Sequence, residues 1–187
     1  MGRPRRAPEP PAHGAAGLDA EPDATEVART VALRLLAAAP RSRAQLATKL
    51  ADRGVAEDVA AALLDRFEEV GLLDDAAYAE MLVRTRHAER GLARRALVAE
   101  LRAKGITGEV AEVALEQVDD EDEEASARAL VARRAPATRG LERDRRRRRL
   151  GGMLARKGYP PGLAMRVVDA ELAAEDDAAQ AEDDGGA

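Results

Sequence analysis

Three stretches of the chain repeat one local pattern: "RAQLATKLADRGVAEDVAAALLDRF", "RRALVAELRAKGITGEVAEVALEQV" and "RRRLGGMLARKGYPPGLAMRVVDAE". Leu46, Leu97 and Leu150 correspond in them, as do Leu50, Leu101 and Leu154, and then Gly54, Gly105 and Gly158; the spacings are 51 and then 53 residues. A repeat of this period constrains the fold more than any single motif, because each copy must form the same small unit and bury its apolar face against the same neighbours.

Each copy reads as a helix with leucines four apart, ending at Arg53, Lys104 or Lys157, where a cation meets the negative end of the helix dipole. Glycine follows, suited to the left-handed position past a helix end. An apolar residue, Val55, Ile106 or Tyr159, is then placed to fold back on the last turn. A further helix starts at once, in the third copy through Pro160 and Pro161. The periodicity predicts a preceding helix in each copy, over 25–39, 75–90 and 123–134. Ser42 with Gln45 forms a capping box for the second helix of the first copy, and Asp74 or Asp75 caps the helix containing Tyr78 and Leu82. The expected fold is all-α: three tandem three-helix repeats, over 24–73, 74–118 and 119–174, stacked into an elongated, curved array because one unit is small for stability alone.

Composition agrees. The apolar residues are mostly Ala, Leu and Val, with one Phe, two Tyr and no Trp, which favours slender helices over strands. Residues 1–23 are rich in Pro, Gly and Ala without an apolar period and read as a disordered leader. Residues 175–187 carry six acids and no base and read as a disordered acidic tail. The formal charge of −5 is misleading, since the leader carries −1 and the tail −6, which leaves +2 for the body, 24–174.

That body contains "ERDRRRRRL", Glu142 to Leu150, in the first half of the third copy's second helix. Arg146 falls on the leucine stripe, where Ser42 and Ala93 sit in the other copies; its stem is expected along the core edge with its guanidinium in water. Arg145, Arg149 and Arg156 share an outward face. Arg43, Arg94 and Arg147 are equivalent under the repeat, as are Arg53, Lys104 and Lys157. The second helix is basic in all three copies and the third is acidic in the first two. The two readings are a plain solvated face and a basic ridge that binds a partner or DNA. The ridge would comprise Arg43, Arg53, Arg94, Arg95, Lys104, Arg145, Arg147, Arg148, Arg149, Arg156 and Lys157.

Nothing in the chain supports catalysis. There is no cysteine, so no thiol nucleophile or thiolate metal site. His13 and His87 lack partners of a catalytic kind, and the acidic stretch "DDEDEEAS" lacks the glycine and ligand spacing of a calcium loop and reads as a helix cap. No phosphate-binding glycine loop occurs, and Gly151–Gly152 reads as a close-packing site. The expectation is a non-enzyme without cofactor or metal. With no membrane-spanning run and no signal peptide, cytoplasmic residence is the default.

The segments "ALRLLAAAPRSRAQLATKLADRGV", "VGLLDDAAYAEMLV" and "GLARRALVAELRAKGI" resemble the RecX family of bacterial regulators of the RecA recombinase, over about residues 24–174. The resemblance implies a protein without activity of its own. It would lie in the groove of a RecA–DNA filament and damp filament growth, ATP turnover, strand exchange and cleavage of the SOS repressor. It would be a monomer, meeting single- and double-stranded DNA weakly or within the filament. Direct base reading is not expected, because the basic helices lack Asn and, apart from the capping Gln45, Gln; few aromatics argue against a stacking platform. The alternative is a DNA-binding transcription factor built of helix-turn-helix-like units, and a weaker one is a scaffold for an acidic protein partner.

Overall fold

The computed structural model describes residues 24–184; the leader, 1–23, lies outside the described residues. Among the described residues there are nine α-helices, one 3₁₀ turn and no strand. The first three helices are α1 (Ala24–Ala38), α2 (Arg43–Ala51) and α3 (Glu57–Glu69), followed by α4 (Asp75–Arg90), α5 (Arg94–Ala103) and α6 (Gly108–Leu115). Next come α7 (Asp120–Arg134), the 3₁₀ turn (Ala135–Thr138), α8 (Arg143–Arg156) and α9 (Pro161–Asp184).

Each group of three closes on its own apolar cluster. Leu46, Leu50, Leu64 and Phe67 centre the first, Leu97, Leu101, Ile106 and Leu115 the second, and Leu150, Leu154, Tyr159, Val168 and Leu172 the third. All six stripe leucines are buried. The helix-end pattern behaves as its residues dictate. Gly54, Gly105 and Gly158 take φ of 77, 76 and 91°. The N–H groups of Val55, Ile106 and Tyr159 then donate back to Leu50, Leu101 and Leu154 carbonyls at 3.2, 3.0 and 3.2 Å. Ser42 and Gln45 form the capping box, Asp74 caps α4 through the Ala77 N–H at 2.9 Å, and Gly151 packs so closely on α9 that a Cβ there would lie 3.1 Å from Met165 Sδ.

Two boundaries differ from expectation. Helix α7 starts at Asp120 rather than near 123, because Asp119 and Asp122 form a capping box and the acidic run becomes its first turn, beside the positive end of the dipole. The acidic segment from 175 onward is not a disordered tail as far as Asp184: it continues α9. The alanine-rich sequence contains no helix breaker before Gly185, and its first acids find cations across the unit.

The units join through their second helices, end to end. Ser42 Oγ donates to the Lys104 carbonyl at 2.5 Å, the Arg43 N–H donates to Asp75 at 2.8 Å, and Gly105 lies against Ala44. At the next junction the Ala93 N–H donates to the Lys157 carbonyl at 3.0 Å, the Arg94 N–H to Glu123 at 2.5 Å, and Gly158 lies against Ala96. The C-terminus of α8 thus meets the N-terminus of α5, and the C-terminus of α5 meets the N-terminus of α2. Carbonyl ends face amide ends, so the helix dipoles run in series and satisfy groups that isolated helix termini leave open. Tyr159 locks the second junction, its hydroxyl donating to the Gly91 carbonyl at 3.2 Å or to Ser126 Oγ at 2.9 Å; burial pushes its pKa up.

Candidate functional site

The array brings the basic second helices into one line, and their cations divide into two groups. The first is consumed by the fold. Arg43 on α2 reaches Asp65 and Glu68 of α3 at 2.6 and 2.7 Å. Burial alone would lower its pKa, but the two carboxylates outweigh that and hold it above the ordinary value. Arg94 on α5 donates to the Leu115 carbonyl at the end of α6 at 2.6 Å. Arg147 on α8 makes a forked contact with Asp169 of α9 at 2.6 and 3.0 Å; that hydrogen bond raises the arginine's pKa and lowers the aspartate's. The repeat-equivalent arginine therefore clasps the second helix to the third in every unit. This is a role different from the ridge that the equivalence suggested.

Arg53 and Lys157 are also engaged. Arg53 Nη1 donates to the Lys49 carbonyl at 3.0 Å, and Lys157 Nζ donates to the Arg90 carbonyl across the second junction. Burial, then the neighbouring cations Arg90 and Arg133, lower the pKa of Lys157.

Arg146 departs furthest from expectation. Its guanidinium is not in water: the side chain is 12% exposed, and it donates to Thr138 Oγ1 at 3.0 Å and to Glu175, itself 17% exposed. The hydrogen bond from Arg146 holds the Glu175 carboxyl below its ordinary range. Arg139 adds a second pairing to Glu175 at 3.3 Å, and Arg143 pairs with Asp176. The sequence signal that could have found this contact was the excess of acids at 175–177 lying after a run of bases at 139–149; their spacing in space depended on α9 continuing.

The second group is left over. Among the described residues, Arg95, Lys104, Arg145, Arg148, Arg149 and Arg156 have no carboxylate within ion-pairing distance, and all but Lys104 are exposed. This remainder of the ridge is concentrated on α8. No cluster of three or more His, Asp or Glu capable of holding a metal occurs among the described residues, and none of their helices is long and apolar enough to cross a membrane. His87 is accounted for by its fold contact, Nδ1 lying 3.0 Å from the Leu92 carbonyl past the end of α4.

Comparison with known proteins matches all three units in order. Residues 28–67, 74–115 and 121–168 fit the family models of the first, second and third three-helix domains of RecX. The chain is 56% identical over 146 residues to regulatory protein RecX of Streptomyces coelicolor, covering 78% of each chain. It is 54% identical over 148 residues to the Thermobifida fusca protein of that name (79% of this chain, 80% of the relative) and 48% identical over 158 residues to that of Mycobacterium ulcerans (84% and 91%). Its fold resembles the crystal structure of RecX from Lactobacillus salivarius, with a TM-score of 0.70 at 22% identity over 79% of this chain and 96% of that one.

Proposed function

This chain belongs to the RecX family, and from that premise we propose that it binds a RecA–DNA filament and inhibits the recombinase, damping filament growth, ATP turnover, strand exchange and SOS repressor cleavage. The observation that carries the reading is the ordered match of all three units, over most of the chain, to a family whose named members are regulatory proteins. The physical features fit it. An elongated array can reach across several protomers of a helical filament, and the unpaired cations on α5 and α8 supply attraction toward the DNA it contains without a base-reading apparatus. Catalysis is not needed, since occupancy of the filament is enough to block its motions.

The test is the DNA-dependent ATPase of the cognate RecA on single-stranded DNA with this protein titrated in. Substoichiometric protein is expected to suppress ATP turnover and to shorten filaments seen by electron microscopy. No effect at equimolar amounts of folded protein would end the proposal. Tight binding to bare duplex at physiological salt, with no effect on RecA, would point to the transcription-factor alternative.

A further inference from the structure

We propose that Arg134, Arg149 and Arg156 form a cradle for the phosphodiester backbone of single-stranded nucleic acid on the third unit. The three line one cavity of about 190 Å³, together with Ala137, Thr138, Leu150 and Met153. Arg134 comes from the last turn of α7; Arg149 and Arg156, two turns apart, come from one face of α8. The sequence did not single out Arg134, because nothing in its neighbourhood predicts that the end of α7 abuts the middle of α8.

The chain has acids enough to neutralise these three and does not. On the same helix Arg143, Arg146 and Arg147 are all paired with α9, whereas none of the cradle arginines has a carboxylate partner among the described residues. Their charges therefore add, and they do so over a floor of buried Leu150 and Thr138, where charge is screened less than on open surface. Thr138 needs no ligand, since its hydroxyl donates to Ala135 and accepts from Arg146. Three guanidinium forks around one space suit a phosphate group, whose oxygens can accept from more than one fork at once.

A polymer rather than a lone anion is indicated by the cations that continue the line. Arg145, unpaired, lies one turn before Arg149 on the same face, so Arg145 to Arg156 spans about 16 Å of helix, the length of several phosphates. Arg133 and Lys157 extend positive charge toward the second junction.

The inference rests on the reading of this chain as acting on a DNA-bearing filament, but its test uses DNA alone. Binding of the full chain to a fluorescein-labelled oligothymidylate is followed by anisotropy across a potassium chloride series. The triple variant R134Q/R149Q/R156Q is compared with R34Q/R84Q/R102Q, which removes the same charge from exposed arginines elsewhere, and circular dichroism checks both folds. The cradle variant should flatten the slope of log K against log salt by about 2, since each phosphate contact on a single strand contributes about 0.7; the control should keep the wild-type slope. Equal slopes for the two variants, an unchanged slope in the cradle variant, or no wild-type binding at low salt would overturn the cradle. So would loss of RecA association in the cradle variant with its DNA slope intact, which would assign the arginines to an acidic protein surface. Failure of ATPase inhibition by wild-type protein would refute the proposed function and leave this measurement standing.

Discussion

A single arginine position shows how repetition can mislead at the residue scale. Arg43, Arg94 and Arg147 recur because every unit needs a clasp between its second and third helices, and each has found an acceptor there, whether carboxylate or carbonyl. A glycine position recurs for two reasons that the structure separates. Gly54, Gly105 and Gly158 all need a positive φ, but nothing lies within 4 Å of a Cβ built on Gly54, whereas one on Gly158 would meet the Ala96 backbone N at 2.7 Å. Gly54→Ala should therefore cost about 1–2 kcal/mol from left-handed strain alone. Gly158→Ala should cost at least about 1 kcal/mol more, because the Ala96 backbone of the neighbouring helix cannot swing aside as a side-chain end can. Urea denaturation of the two variants measures the difference; equal costs would mean that the second junction gives way freely.

At the scale of the element, α9 does two jobs. Its first half completes the third unit's core through Leu163, Val167, Val168 and Leu172, and its extension covers the N-terminal end of α8. That end is where a further unit would dock, for Arg146 occupies the place of Ser42 and Ala93, which the following unit buries. Here Glu175 and the 3₁₀ turn cover it instead, as the capping element of a solenoid must. The contact should be acid-labile. Glu175 titrates lower in the folded chain than in the unfolded one, where its value is about 4.3. Its stabilising contribution is thus full above that unfolded value and is lost as pH falls through the folded one. Between about pH 5 and pH 3, the wild type should lose more urea resistance than Glu175→Gln, which has already lost the charged pair. Parallel pH profiles for the two proteins would show that the pair contributes nothing.

The whole molecule is three small cores held in line by two junctions, and its cooperativity depends on them. Glu123 is the critical side chain at the second: it is buried on α7, yet it caps the α5 N-terminus by accepting the Arg94 N–H. Glu123→Ala should cost about 1–2 kcal/mol, the range for a lost cap, and should fall on the second unit although the mutation lies in the third. Hydrogen exchange can localise it: amides of α5 should lose protection along with those of α7. If protection falls in α7 only, the units are coupled through some other contact. Asp75 plays the matching part at the first junction, so the array is built by one rule applied twice.

The helices, most of their ends and the three-unit plan were legible in the chain itself, because leucine spacing, left-handed glycines and capping residues act within a few positions and need no partner from elsewhere; the start of α7 and the end of α9 were the exceptions. The capping box at Ser42 and the return of Tyr159 onto α8 were of this kind. What only the tertiary structure decided was the fate of the charges. Whether an arginine is a free cation depends on which acid the fold brings within 4 Å: Arg147 meets Asp169 and Arg149 meets none among the described residues. The partners of Glu175 and Asp176 were decided in the same way: the alanine-rich segment lets α9 continue, but only its packing carries these two acids to Arg146 and Arg143. Local pattern is short-range and additive, while ion pairing is a choice among distant partners that exists only after the backbone has been placed.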